Sequence, residues 1–433
     1  MILTQKVNSI DIKKTKENTT GLMGLSWIYH LAKHYGVCSD IEKIFPRKKS
    51  NREINAEKKI MSCALMMLAG GEKIEDIEKL RADKAFIGSL GWNSMVSPDA
   101  FLEYLAIIRN GGRIRKLNEI EVIKAMQKSE LDDFTYDNDA TYFNSGKDCA
   151  EWSYKEEKQM SALLGFLPEL SGLCITMDYR PGNISPASGI ENQIRKAVKL
   201  AKQAGKRIAR VRIDSAGYKK KIMKRCHQEN IKFFIVADKD KAVMNTIHND
   251  IHSSTWKEVP ERNGVEYSTC RYWLMDKDAP IETRMLVLRW HNPDPTLFDQ
   301  SKYCYRAIVT NDFEINALEW LAFQDGRMAS ENYNKEIKTG LSCNYTPSHD
   351  FNKNRNYFLV GILAYNILQI MKLFYFEEHA KKWTIKTVRF WFIQTCGRVV
   401  KHARKVVCNL INCTDLTYSL FQGCLKKVVV DTT

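Results

Sequence analysis

FTYDNDATYF, residues 134–143, places Asp137, Asn138 and Asp139 inside a run whose aromatic and β-branched content otherwise predicts a buried strand. In a strand, side chains alternate between faces, so Asp137 and Asp139 share one face with Thr135 and Thr141, while Phe134, Tyr136, Ala140 and Tyr142 take the other. Two carboxylates on one face of a buried strand are costly. Either the strand surfaces at its end, or the acids pair with some of the chain's many Lys and Arg, or they hold a metal.

The pattern downstream extends the strand into a sheet. SALLGFLPE and LCITMDYRPGN read as two more strands of an antiparallel meander, with turns at Pro168, Gly172 and Pro181-Gly182. SGIENQIRKAVKLAKQAG then reads as a helix: Ser188 and Glu191 have capping-box spacing, and Ile190, Ile194, Ala197, Val198 and Ala201 form one apolar stripe. RIARVRID is a strand, YKKKIMKRCHQENI a basic amphipathic helix and KFFIVADKD another strand. The order strand, strand, strand, helix, strand, helix, strand predicts a mixed sheet covered by helices.

On either side the periodicity differs. GLSWIYHLAKHYG, INAEKKIMSCALMMLAGG and KIEDIEKLRADKAFIGSLG have helical spacing, and Ser97-Pro98 opens a further helix, PDAFLEYLAIIR. Arg47, Lys48, Lys49 and Arg52 lie between these helices, a layout that suits helix-turn-helix DNA binding and a plain helical bundle equally. Residues 240–311 revert to strand-like pieces, among them VEYSTCRYWLMD, RMLVLRWHN and YCYRAIVTND. A helix resumes at INALEWLAF and continues past Gly326 into RMASENYNKEIK; the end of the chain is one-sidedly basic. The division expected is a helical amino-terminal domain over 1–125 with DNA binding as its role, a catalytic core over 126–240, a β-rich insertion over 241–311, a helical part of the core over 312–378, and a basic segment over 379–433.

Composition narrows the partner. The 433 residues exceed one ordinary core, and 66 Lys plus Arg against 51 Asp plus Glu give a formal +15, which favours a polyanion. Twelve cysteines without a CxxC pair suit free thiols in a reducing cytosol. The first twenty residues lack a secretory signal pattern, and the apolar run 357–376 carries Asn366, Gln369 and Lys372, so a buried helix is expected and no membrane partner. The expectation is a soluble, cytoplasmic protein.

Two further acids join the strand pair. Asp214 ends RIARVRID just before Ser215-Ala216-Gly217, where open sheets build active sites and where a turn-forming Asp is equally at home. Glu331 has Arg327, Lys335 and Lys338 at i−4, i+4 and i+7, a stripe of cations that ordinary surface ion pairs would also produce. Strand with Asp, meander, helix, strand ending in Asp, helix, strand and a late helix with Glu is how a ribonuclease H-like α/β core gathers three acids. Three converging carboxylates suit hard divalent cations, two Mg2+ or Mn2+ ions, which serve in-line phosphoryl displacement.

With YDNDAT, RPGNISPASG, RIDSAGY, VADKD and RMASENYNKEIK in this order, the chain resembles the bacterial insertion-sequence transposases with a DDE triad, in the IS-four-like superfamily and most closely its IS-thirteen-eighty branch. GGEKIEDIEKLRADKAF and TVRFWFIQTCGRVVKHARKVV also resemble that branch, so the likeness covers nearly the whole chain. The resemblance implies Asp139, Asp214 and Glu331 as catalytic metal ligands, with Asp137 as a neighbour able to assist or substitute. The superfamily signature Y-x2-R-x3-E-x6-K is met by Arg327, Glu331 and Lys338, which with Lys335 are expected on DNA phosphates; its tyrosine is not met, Phe323 lying one residue too far. The insertion's Trp273 and Trp290 suit stacking on a flipped base or filling a β core. The activity implied is excision and insertion of a mobile element, with terminal inverted repeats and target DNA as double-stranded partners and a homodimer at synapsis. A nuclease without strand transfer and an inactive DNA-binding regulator are the alternatives.

Overall fold

Residues 17–45, 53–275, 280–293, 301–402 and 405–432 are described by the structure, a computed structural model. A two-residue strand, β1 (Thr19–Thr20), leads into α1 (Met23–Tyr35), α2 (Val37–Ile44), α3 (Ala56–Ala69), α4 (Ile77–Ala82), α5 (Lys84–Ser89), α6 (Pro98–Ile107) and α7 (Gly112–Lys128). Local chemistry sets these boundaries. Asn55 caps α3 by accepting from Lys58 N (3.0 Å), Asp83 caps α5 from Phe86 N (2.8 Å), and Ser97 caps α6 from Ala100 N (3.4 Å) with Pro98 in the first turn. Arg47, Lys48, Lys49 and Arg52 lie outside the described residues.

The FTYDNDATYF stretch is the middle of β2 (Asp133–Asn144). After the two-residue β3 (Glu151–Trp152), β4 (Lys158–Leu167) pairs antiparallel with β2 and β5 (Leu173–Pro181) antiparallel with β4. Next, α8 (Ile190–Gln203) leads to β6 (Arg207–Ile213), and α9 (Lys220–Gln228) to β7 (Lys232–Val236), with β6 parallel to both β2 and β7. The resulting order, β5-β4-β2-β6-β7, puts the aspartate strand in the centre, next to the strand that ends at Asp214. The apolar stripe of α8 is buried as expected, but the capping box is not used: Gly189 in the left-handed region (φ 90°) starts the helix, and Glu191 instead pairs with Lys221 and Arg225 of α9.

Beyond β7 the sequence pattern missed a helix, α10 (Lys241–Asn249), which Asp240 caps from Val243 N (2.9 Å). The strands that follow, β8 (Lys257–Glu258), β9 (Val265–Leu274), β10 (Ile281–His291) and β11 (Tyr303–Thr310), form an antiparallel ribbon. Its last strand pairs antiparallel with β7, Ile308 opposite Val236, so the ribbon continues the central sheet to ten strands. One face of this extension is covered by α11 (Ala317–Asp325), whose Trp320 and Leu321 pack with Phe234, Leu286, Leu288 and Ile308; Trp290 packs at its margin, and Trp273 is exposed.

After α11 come α12 (Met328–Lys335), continued by a wide turn over Glu336–Gly340, and α13 (Phe351–Phe374). The most apolar window of α13 has the length and composition of a membrane span and is 89% buried inside the protein. It packs against α3, α6, α7 and β5, and Asn366 is spent on two of those neighbours. Asn366 donates to Asn118 Oδ1 (3.1 Å) and Cys174 O (3.0 Å) and accepts from Cys174 N (2.9 Å), tying α7 to β5 through α13. The helices of the first third and the sheet therefore share one hydrophobic core. The chain then returns to the first helices through α14 (Glu378–Lys381), α15 (Ile385–Val388), β12 (Gly397–His402), β13 (Lys405–Leu410) and α16 (Asp415–Thr432); β12 pairs with β1 and β13.

Candidate active site

The alternation read in β2 is realised. Tyr136 and Asn138 point to α8, where both reach Gln193 Oε1 (3.2 and 2.9 Å), while Asp137 and Asp139 face the α11–α12 side. The two aspartates then part ways. Asp137 is fully buried, and the Arg212 guanidinium of β6 holds both its oxygens, Nε to Oδ1 at 2.7 Å and Nη2 to Oδ2 at 2.6 Å. Arg212 also donates to Phe323 O (2.6 Å) and lies over the Phe323 ring at 4.7 Å. Burial pushes the Asp137 carboxyl up, and Arg212 opposes that shift. Both Asp137 oxygens are thus engaged by Arg212, and Asp137 is its buried ion-pair partner. Gly326 gives this guanidinium room, because a Cβ there would fall on Arg212 Nη1.

Asp139 stands one residue beyond the Asn138–Ile213 pair of the parallel β2–β6 ladder, alongside Asp214 in the next strand. Its Oδ2 accepts from Asn334 Nδ2 (2.6 Å), and its Oδ1 lies 3.7 Å from Arg327 Nη1. The carboxyl is pushed up to about 6, first by burial and then by the Asp214 and Glu331 charges, against the pull of Arg327 and Asn334. Asp214 Oδ1 accepts from Ala216 N (3.0 Å), so the turn-forming role and a place at the strand's C-terminal end coexist in one residue.

Glu331 reaches this group through Arg327, whose Nη2 is 3.5 Å from Glu331 Oε1; the Glu331 side chain is 63% exposed. Lys338 donates to Tyr142 O (2.6 Å), close enough for its charge to act on Asp139, and burial pushes its ammonium down. Lys335 is turned away, lining a cleft on the other side of α12. The structure thus gathers Asp139, Asp214, Arg327, Glu331 and Lys338 and sets Asp137 and Lys335 apart.

Three features of the site were missed in the sequence. Asn334 lies seven residues after Arg327 on the same helical face, a spacing that could have pointed to it. Arg212, two residues before Asp214, reads as one more cation in RIARVRID. Tyr154, 67% exposed, meets Tyr142 edge-on at 5.5 Å, and Lys155 lies over both rings at 5.6 and 5.8 Å, next to the Tyr142 carbonyl that Lys338 holds. Tyr154 and Lys155 come from the turn between β3 and β4, which has no periodic signal.

The donor set fits a hard divalent cation in kind. Asp139 and Asp214 bring carboxylate oxygens from neighbouring strands, and a buried carboxyl raised to about 6 is short of positive charge. Among the described residues no three His, Cys, Asp or Glu side chains come close enough to hold one ion together. Arg327 fills the space between Asp139 and Glu331, and its buried Nη1 has no hydrogen-bond partner.

The sequence matches, over residues 4–428, the family model described as transposase DDE domain group 1. No curated protein matches the chain. Among solved structures, the piggyBac transposase in a synaptic complex with hairpin DNA is similar at 10% identity and a TM-score of 0.41, over 80% of this chain and 74% of that one.

Proposed function

Because the chain belongs to the transposase DDE domain group 1 family, we propose that it excises a mobile DNA element and joins it elsewhere by metal-dependent phosphoryl transfer, with Asp139, Asp214 and Glu331 as its acids. The observation that carries this reading is the parallel neighbourhood of β2 and β6, which sets Asp139 beside Asp214. The order β5-β4-β2-β6-β7 supports a ribonuclease H-like core, extended rather than interrupted by the strands up to β8. The domain boundaries read from the sequence stand as part of the proposal.

Divalent ions, Mg2+ or Mn2+, when bound would activate the attacking oxygen and stabilise the leaving oxygen at phosphorus. Asp139 and Asp214 would hold them, with Glu331 completing the set once its pairing with Arg327 is given up. Asn334 fixes Asp139 through Oδ2, and the Ala216 amide fixes Asp214 through Oδ1. Arg327 and Lys338, positive and partly buried beside these acids, suit the phosphates flanking the scissile bond. Cleavage at an element end and attack by the freed 3′-hydroxyl on target DNA are both in-line displacements, so one site serves both. The partners are double-stranded element ends and target DNA, two ends call for two copies of the chain, and the bacterial nucleoid is where it would act.

Asp214→Asn and Glu331→Ala should each abolish cleavage of end-containing duplex while leaving its binding within about twofold of wild type. Binding lost in parallel with cleavage would make both residues structural. Strand-transfer products separate this reading from a nuclease that cuts without joining.

A further inference from the structure

The face of α12 opposite Asp139 borders a cleft of about 1030 Å³, walled by the end of α13 and by the segment from α14 to α15. Two polar side chains in its wall are largely buried and lack partners for their polar ends. Lys372 is 5% exposed and makes no ion pair among the described residues, and Gln369 is 1% exposed with Oε1 lacking any hydrogen-bond partner. Burial pushes the Lys372 ammonium down, and the charge that supports it is Glu336, whose carboxylate is already engaged by Ile385 N (2.9 Å). Glu169, the other acid in the wall, receives Thr135 N (3.1 Å). Around the mouth stand the exposed Lys335, Lys382 and Lys386, also without ion pairs among the described residues, and the partly exposed indole of Trp383.

A lysine that is 5% exposed, lines the cleft and has only the already engaged Glu336 carboxylate to support its charge is suited to an anion. A phosphate fits it, exposed amines suit the phosphates on either side, and an indole suits the face of an unpaired base. We propose that this cleft is a second DNA-binding site, which holds a phosphodiester of a single-stranded segment at Lys372 with a base against Trp383. The inference rests on DNA being the partner proposed above, but not on the chemistry at Asp139. An occupant here bears on α12, the helix that presents Glu331 one turn from Lys335.

The test is lysine acetylation of the full chain read by mass spectrometry, with a single-stranded oligonucleotide, a duplex, or inorganic phosphate added. Saturating single strand should lower acetylation of Lys382 and Lys386 at least fivefold and leave Lys199, exposed on α8, unchanged. In binding titrations Lys372→Met, and separately Lys382→Ala with Lys386→Ala, should lower the salt slope for single strand by about 0.7 for each phosphate no longer neutralised. DNA that saturates the protein while Lys382 and Lys386 react at their free rate overturns the cleft and leaves the proposed function standing. Protection by phosphate alone makes the cleft a site for a free anion and overturns it too, and failure to bind any DNA removes both readings.

Discussion

Removing Arg212 tests the division of labour between the two β2 aspartates. In Arg212→Met the buried Asp137 loses both charge-assisted bonds, and Phe323 O loses its donor. Breaking a buried ion pair from one side costs about 3–5 kcal/mol, because the remaining charge stays out of water without compensation. Unfolding entropy is about 2.1 cal/mol/K per residue, so over a chain of 433 residues each kcal/mol moves the melting temperature by about 1 °C. The expected drop at pH 8 is therefore about 3–5 °C. Without its partner, Asp137 has its folded pKa raised further above the unfolded value, so the cost is full at high pH and is relieved as the pH falls and the carboxyl takes up a proton. Pairing Arg212→Met with Asp137→Leu replaces two buried charges with apolar groups and should recover most of the loss. Melts of wild type, single and double variants at pH 5 and pH 8 decide the matter. A single variant within about 1 °C of wild type at pH 8, or a double variant no better than the single, refutes the assignment of Asp137 as a structural partner.

Two further outcomes follow from the same neighbourhood. Asp139 has a folded pKa of about 6 against an ordinary 3.8, so the folded state favours its protonated form: the penalty is absent at low pH, grows as pH rises towards the folded value and is full above it. With chelator present, Asp139→Asn should gain up to ~3 kcal/mol over wild type at pH 8 and almost nothing at about pH 3, below the unfolded value; a variant no more stable at pH 8 contradicts the shift. Gly326→Ala sets a methyl group on Arg212 Nη1 and should cost ~1–3 kcal/mol in wild type but little in Arg212→Met; an equal cost in both backgrounds would show that the guanidinium is not what the glycine accommodates.

Much of the core was legible because its signals are local. The short apolar runs of β2, β4, β5, β6 and β7, bounded by turn residues, and the apolar stripe of α8 are signals that a single sequence carries. What escaped depends on contacts between distant residues. Of the readings open for FTYDNDATYF, the paired one is met at Asp137, and only the approach of Arg212 across 75 positions decides which aspartate it takes. The start of α8 went to Gly189 because Glu191 had stronger partners in α9 than a cap would offer. Lys335 and Lys338 differ by less than a turn in position yet face opposite sides of the Glu331 helix, a distinction that depends on how the helix is seated against β2.

The placement of α13 has a consequence for synthesis. The helices of the first third bury their apolar faces against a helix that begins at Phe351, 282 residues after α3 ends at Ala69. At translation rates of ~5–20 residues per second, those early helices wait roughly 15–60 s on the ribosome before their packing partner is made. During that interval the faces that α3, α6 and α7 turn to α13 lie uncovered, so a nascent chain stalled before Phe351 should be held by chaperones and cut readily by proteases, and one that has cleared Phe374 should be neither.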